Sequence, residues 1–269
     1  MLSYETFTQL HDRLLKGATA TQLEDAIPRF SRNLKIASAV SLAHWTDSTP
    51  FDDLAKAYIL PEKVMDALGI GHSVTVGVVH VPAGLMHSYG YLFSQLKTAY
   101  GLKGKRWIES RLDERLGLKA GVFSPFTREG EFLSNVTAVL LEFIGAKASL
   151  PTAARLVPRT KSAGSVSEHV KWRTAEGVEK ELTISTHLIN LLALPGQETN
   201  DVKLLMYEVV DAKKHRLVTA FPVEQKFAEA IIGAKPESDT QFRPRFNLYI
   251  DPTWKVVAHR SEGFAAQAD

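Results

Sequence analysis

The chain of 269 residues contains no cysteine. This single absence excludes disulfide bonds, thiol nucleophiles, thiolate zinc sites and cysteine-ligated iron–sulfur clusters. An excess of one charge sign is also missing, because 32 Lys and Arg residues stand against 30 Asp and Glu residues and give a formal net charge of +2. So small a net charge does not indicate a nucleic-acid partner, and any basic binding surface must come from local clustering.

Long hydrophobic runs are absent too. Residues 136–144 form one of the longest, but Thr137 and Glu142 interrupt it. The run is far shorter than the roughly 18 residues that a membrane-spanning helix needs. The N-terminal residues MLSYETFTQLHDRLLKG mix acidic and basic side chains, which is not typical of a signal peptide. We therefore expect a cytoplasmic protein with no membrane partner.

Several common catalytic motifs are missing as well. The sequence has no G-x-S-x-G elbow, no Walker loop and no G-x-G-x-x-G turn, which argues against the commonest nucleotide-binding and esterase folds. His72 and His80 lie at opposite ends of one predicted strand, more than roughly 25 Å apart if the strand is regular. No H-x-H or H-E-x-x-H spacing occurs. The sequence therefore predicts no metal site and identifies no cofactor.

The hydrophobic pattern of the first half of the chain favours helices. Helical spacing dominates the first 70 residues, where Thr49, Pro50 and the following acids are typical of a helix start. A β-branched run predicts a strand over 74–81 and a short strand is predicted over 121–124. Further helices are predicted over 85–100, 105–116 and 131–144.

The last hundred residues favour strands instead. The sequence predicts a hairpin of 169–174 with 178–185, a second hairpin of 202–210 with 216–221, a helix over 224–232 and an edge strand over 245–250. Together these patterns predict an α+β fold. It has a helical N-terminal portion, a central strand–helix unit and a C-terminal antiparallel sheet with helices on one face.

The domain organisation follows from a change in composition. Residues 146–167 are rich in Ala, Ser, Pro and basic side chains, as linkers and loops are. The sequence predicts a mainly helical lobe over 1–147, which contains the strand–turn–helix of His80 and His87. A candidate linker or mobile loop over 148–167 then leads to a mainly antiparallel β lobe over 168–269.

Residues 73–97 carry the best catalytic candidates. The predicted strand ends at His80, a Pro82-Ala83-Gly84 turn follows, and the next helix carries His87, Ser88, Tyr89 and Tyr91. Open sheets bind ligands where strands end and helices begin, and a histidine pKa near neutrality suits general acid–base catalysis. We expect His80 or His87 to transfer protons, with Ser88 or Tyr89 orienting the substrate. The alternative is that both imidazoles are partly buried and satisfied by backbone carbonyls.

A basic run provides candidates for substrate binding. It comprises Lys97, Lys103, Lys105, Arg106, Arg111, Arg115 and Lys119. Arg111 and Arg115 stand one helical turn apart, and Trp107 precedes Arg111 by one turn. Arginines beside an aromatic ring can hold a phosphate or carboxylate. We therefore expect Lys105, Arg106, Trp107, Arg111 and Arg115 to bind substrate, unless the interleaved acids pair with these cations on a solvated face.

The resulting functional hypothesis is a small enzyme, of the hydrolase or another proton-transfer type, whose partner is an anionic small molecule. A nucleic-acid-binding protein is the alternative. Residues 50–68 resemble a helix-turn-helix in outline, and the basic C-terminal strands suit a histidine-dependent ribonuclease. A third hypothesis is a non-catalytic interaction protein that uses the apolar helix 131–144. The sequence predicts no oligomeric state.

Overall fold

The computed structural model describes 15 parts of the chain: residues 44–46, 51–52, 55–59, 79–80, 87–88, 90–91, 94, 96–98, 101–123, 132–146, 156–198, 200–211, 214–233, 249–250 and 255–266. The strands are β1 (Phe51–Asp52), β2 (Ala57–Tyr58), β3 (Val79–His80), β4 (Lys97–Thr98), β5 (Gly101–Leu102), β6 (Ser162–Arg173), β7 (Glu179–Asn190), β8 (Val202–Asp211), β9 (Lys214–Glu224), β10 (Tyr249–Ile250), β11 (Lys255–Ser261) and β12 (Ala265–Ala266). A 3-10 helix covers Lys103–Lys105, and the α-helices are α1 (Arg106–Glu109), α2 (Leu112–Arg115), α3 (Phe132–Phe143) and α4 (Gln225–Gly233).

A six-stranded antiparallel sheet dominates the described residues. Its strand order is β11-β6-β7-β8-β9, and β12 also pairs with β6. Both predicted hairpins, β6–β7 and β8–β9, are confirmed. The first turns through Gly177, whose φ of +83° favours glycine. The structure therefore confirms the mixed α and β content and the C-terminal antiparallel sheet.

The first long strand is longer than the composition of the chain indicates. Residues 162–167, which belong to the predicted linker, form the start of β6. Their small polar side chains are typical of loops, but Val166 continues the alternation of buried residues through Val170 and Trp172. Residues 148–155 of the predicted linker lie outside the described residues, so the division into two lobes stays a prediction.

The two strands β8 and β9 are buried on both faces. Every residue from Leu204 to Val209, and from Leu217 to Val223, is buried, as expected for strands with continuous apolar sequence. Tyr91 packs on Phe221 on one face, while the end of α3 meets His187 on the opposite face. Both faces of these two strands are therefore covered, whereas the expectation of helices on one face of the sheet stays a prediction.

Several helix predictions in the first half need correction. The helix predicted over 85–100 does not reach its predicted end, because Lys97–Thr98 is strand β4. The helix predicted over 105–116 is broken at Arg111, whose φ is +49°. Residues 121–123 form a turn instead of a strand. By contrast, the apolar helix predicted over 131–144 is present as α3, and Gly145 follows it with a φ of +64°.

The predicted helix start near Thr49 is also wrong, because β1 and β2 form a small hairpin there. Asp52 Oδ1 accepts a hydrogen bond from the backbone N–H of Ala55 at 3.0 Å, and Lys56 has a φ of +52°. These contacts make a turn where a helix was expected. The helix-turn-helix outline of residues 50–68 therefore lacks its first helix, and its second predicted helix lies outside the described residues.

The other predicted elements are described in part. The strand predicted over 74–81 is described only as β3, and the edge strand predicted over 245–250 only as β10, with which β3 pairs. The predicted helix over 224–232 is present one residue later as α4. Most of the first 70 residues lie outside the described residues, so the helical N-terminal portion stays a prediction. Among the described helices, none is long and apolar enough to cross a membrane.

Candidate active site around Lys103

A buried lysine forms the centre of the candidate site. The side chain of Lys103 is 3% exposed, and its Nζ lies 2.9 Å from Asp52 Oδ2 and 3.2 Å from His87 Nδ1. An ammonium group only donates hydrogen bonds, so His87 Nδ1 accepts one and the proton of the neutral imidazole lies on Nε2. We call Asp52, His87, Tyr91, Lys103 and Arg106 the Lys103 cluster.

Short elements from separate parts of the chain position these side chains. The β1–β2 hairpin supplies Asp52, and helical residues supply His87 and Tyr91, which are one turn apart. Gly90 lies between these two and makes room for the lysine. A Cβ atom on Gly90 would lie 2.3 Å from Ile59 Cγ2 and 3.2 Å from Lys103 Cε. The close approach of the helix to Ile59 therefore requires glycine at this position, and the Lys103 side chain packs beside it.

The Tyr91 ring organises the two cations of the cluster. Lys103 Nζ lies 5.2 Å from the ring centroid and Arg106 Cζ lies 6.0 Å from it, within the range of cation–π attraction. Trp107 stacks on the same ring at 5.6 Å between centroids. The Tyr91 hydroxyl shares a hydrogen bond of 3.2 Å with Thr219 Oγ1 on β9. The cluster is therefore anchored to the main sheet.

Burial and charge perturb the ionisable groups of the cluster. Burial lowers the pKa of Lys103 below its ordinary value, although the Asp52 carboxylate opposes this shift. Burial alone would raise the pKa of Asp52, but the Lys103 ammonium and the Ala55 N–H outweigh it and lower that pKa. Burial raises the pKa of Tyr91 to about 12. Ionisable groups perturbed by desolvation and a specific charge are typical of functional sites.

The structure brings together part of the predicted site. His87 and Ser88 are buried, and the Ser88 Oγ has no hydrogen-bond partner among the described residues. Arg106 and Trp107 lie beside the Tyr91 ring. Lys105 ends the 3-10 helix beside the cluster. His80 pairs with Tyr249 between β3 and β10, whereas Tyr89 lies outside the described residues, so the roles of these residues stay predictions.

Two of the predicted substrate-binding arginines are bound by protein atoms. Arg115 donates to Asn200 Oδ1 and Gln197 Oε1, each at 2.8 Å, and to the carbonyl oxygens of Ser110 and Leu192. Arg115 thereby ties α2 to the segment that joins β7 to β8. Arg111 is exposed and forms a two-pronged ion pair with Glu114. None of the contacts within the described residues connects either guanidinium group to the Lys103 cluster.

Sequence reasoning missed Asp52 as a site residue and gave Lys103 no special place in the basic run. The pair joins residues 51 positions apart, and no local spacing indicates such a contact. The short motif around Asp52 favours a helix start, so it does not indicate that Asp52 pairs with a buried lysine. The sequence did indicate that Tyr91 lies close to His87, because residues four apart on a helix lie on one face.

A second ionisable cluster lies across the main sheet. Glu208 on β8 is buried, with one carboxylate oxygen 2.7 Å from His187 Nε2 on β7 and the other hydrogen-bonded to His215 Nδ1 on β9. We call these three residues the Glu208 bracket. The signal that could have found it is a glutamate within the apolar run LLMYEVV of β8. A buried carboxylate needs partners of this kind.

Comparison with known proteins identifies no family for this chain. No protein-family model, no curated protein and no solved structure matches the chain. Within the described residues, no group of three or more His, Asp or Glu side chains is arranged to hold a metal ion. The functional argument therefore depends on the chemistry of the clusters themselves.

Proposed function

We propose that the protein is an enzyme of the hydrolase or another proton-transfer type, and that it acts on an anionic small molecule at the Lys103 cluster. The supporting observation is the buried Lys103 ammonium between a carboxylate and an imidazole, 2.9 Å from Asp52 and 3.2 Å from His87. With Arg106 at the same aromatic ring, two cations face one carboxylate. Two cations held close together at a site of low dielectric favour an anionic ligand.

The proposed proton path runs through Lys103 and His87. Lys103 Nζ lies 3.2 Å from His87 Nδ1, so its ammonium is placed to pass a proton to the imidazole, and the lowered pKa of Lys103 favours this direction of transfer. His87 then gives the proton on Nε2 to the leaving group, and acts as the general acid. The reverse transfer makes His87 the general base. Asp52 holds Lys103 in place and compensates its charge, and Arg106 binds the anion.

The burial and pairing of residues in the basic run favour a small anion as the ligand, rather than a nucleic acid. A nucleic-acid surface needs several exposed cations that can reach phosphates. Lys103 and Arg115 are buried, and Arg111 is paired with Glu114. The hypothesis of a histidine-dependent ribonuclease in the C-terminal strands and the hypothesis of an interaction role for α3 are separated by the experiments below.

The experiment compares two arginines of the same basic run. Isothermal titration with inorganic phosphate and a panel of small carboxylates is carried out on Arg106→Gln and on Arg111→Gln, the matched control. We expect Arg106→Gln to weaken binding at least tenfold, as for the loss of one charge-assisted contact of about 1.4 kcal/mol, and Arg111→Gln to leave it unchanged. Equal weakening in both variants would contradict the proposed site.

An additional variant, His87→Gln, tests the chemistry. Hydrolysis of p-nitrophenyl phosphate and p-nitrophenyl acetate is followed for the wild type and for His87→Gln. We expect the variant to lose turnover and to keep its affinity for the anion, because His87 transfers protons and Arg106 binds. Binding only to oligonucleotides, with a steep loss at high salt, would support the nucleic-acid alternative instead.

A further inference from the structure

A cleft opens between the end of α3 and the first strands of the main sheet. Its volume is about 480 Å³, within the range of roughly 300–1,000 Å³ that is typical of small-molecule sites. The lining residues come from four regions of the chain, namely the end of α3 and the strands β6, β7 and β12, and they include Glu142, Phe143, Ile144, Ser165, His187 and Ala265. The cleft lies on the face of the sheet opposite to Tyr91, and it shares no lining residue with the Lys103 cluster.

The polar wall of the cleft is rich in hydrogen-bond acceptors. Ser165 and His187 are direct cross-strand partners on β6 and β7, so their side chains stand side by side on one face. His187 Nε2 donates to the Glu208 carboxylate at 2.7 Å, and in the neutral form of the ring this bond leaves Nδ1 as a hydrogen-bond acceptor. Glu142 adds an exposed carboxylate at the rim.

Among the described lining residues of the cleft, the one permanently charged side chain is a carboxylate. None of its described lining residues is Lys or Arg, whereas Glu142 belongs to the lining and the Glu208 carboxylate lies directly behind His187. The C-terminal end of α3 lies at this cleft, and the C-terminal end of a helix dipole favours cations. The remaining lining, chiefly Phe143, Ile144 and Ala265, is apolar.

We propose that this cleft binds an organic amine whose ammonium group meets Glu142 and the His187–Glu208 pair and whose aromatic or alkyl body packs on Phe143 and Ile144. The opposite charge preference separates this site from the Lys103 cluster, which is proposed to bind an anion. The two proposals stand on different residues and different faces of the sheet, so the failure of one leaves the other unaffected.

The test compares three probes of the same shape. Isothermal titration at neutral pH measures benzylamine, which is protonated, against benzyl alcohol and benzoate. We expect benzylamine to bind at least tenfold more tightly than benzyl alcohol, and benzoate to bind most weakly. Equal affinities of benzylamine and benzyl alcohol would overturn the proposal, since the ammonium group would then contribute nothing. Tighter binding of benzoate would overturn it as well.

Variants then locate the probe. Glu142→Gln removes an exposed carboxylate with little effect on folding, and His187→Phe removes the ring acceptor at similar volume. We expect each to weaken benzylamine binding at least fivefold. His169→Phe is the matched control, because His169 lies on the same face of the sheet, bonded to Thr183 Oγ1 at 3.0 Å, and does not line the cleft. Unchanged affinity in both Glu142→Gln and His187→Phe would overturn the assignment.

One more variant separates the two proposals. Arg106→Gln changes the Lys103 cluster and lies outside the cleft, so we expect it to leave the benzylamine affinity unchanged. A loss of benzylamine binding in this variant would overturn the cleft as the binding place. Retention of benzylamine binding in a variant that has lost phosphate binding would support two separate sites.

Discussion

Replacement of Asp52 by Asn tests whether the Lys103 cluster is an energetically coupled unit. The Lys103 and Asp52 side chains are 3% and 11% exposed and 2.9 Å apart. Removal of one partner of a buried ion pair leaves the other charge uncompensated and costs about 3–5 kcal/mol. Because the Asn side-chain oxygen can still accept a hydrogen bond from Lys103 Nζ, we expect the lower end, about 3 kcal/mol.

Urea unfolding at neutral pH measures this loss. With a slope of about 3 kcal/mol per molar urea, Asp52→Asn lowers the midpoint by about 1 M. The matched control is Asp201→Asn, since Asp201 is exposed and we expect a change within about 0.5 kcal/mol. In a double-mutant cycle with Lys103→Met, the double variant is expected to lose less stability than the sum of the single losses.

The dependence of folding stability on pH in the acid range tests the Asp52–Lys103 pair a second time. The pKa of Asp52 is lowered in the folded state, so its contribution is present above the ordinary aspartate pKa and is lost as the pH falls through the lowered pKa. Asp52→Asn should therefore differ most from the wild type at neutral pH and least at low pH. A loss below about 1 kcal/mol, together with an additive cycle, would refute the reasoning.

Two further predictions concern the Tyr91 hydroxyl and a glycine of β6. The pKa of Tyr91 is raised to about 12. The protonated Tyr91 hydroxyl therefore contributes fully to folding stability below the ordinary tyrosine pKa, and this contribution is lost as the pH rises through about 12. The contribution amounts to about 3 kcal/mol. The stability difference between the wild type and Tyr91→Phe across this alkaline range measures it, and a flat difference would contradict the shift. Gly164→Ala should cost about 2 kcal/mol, because Gly164 has a φ of +151° and a Cβ there would lie 2.3 Å from the Ala265 carbonyl oxygen. Faster hydrogen exchange in β12 is the readout, and Gly263→Ala, with open space at its Cβ position, is the control.

The local sequence was sufficient to predict those elements whose structure depends on interactions between residues close in sequence. The hairpins of the main sheet follow from alternating apolar residues around short polar turns, and α3 follows from apolar residues at helical spacing before Gly145. Part of the site followed in the same way. The sequence placed His87 one turn from Tyr91, and it placed Arg106 and Trp107 in one basic and aromatic segment. His87, Tyr91 and Arg106 belong to the Lys103 cluster, and Trp107 stacks on its Tyr91 ring.

Long-range contacts decided the features that the sequence did not reveal. Residues 50–53 have the pattern of a helix start, but Asp52 accepts from Lys103 across 51 positions and belongs to a hairpin. Arg115 has the pattern of an exposed binding residue, but its guanidinium group is held by Asn200 and Gln197. In both residues, partners distant in sequence overrode a local preference that is worth only about 1 kcal/mol.

The sequence by itself determined that this protein works without thiol chemistry, that its C-terminal part forms antiparallel strands and that an apolar helix precedes them. These properties depend on composition and on periodicity along the chain. Only the tertiary structure decided which charges share a buried space: Lys103 with Asp52 and His87, and Glu208 with His187 and His215. The physical reason is that the pKa and pairing of an ionisable group depend on desolvation and on charges within a few ångströms, and the folded chain brings those charges from distant positions in the sequence.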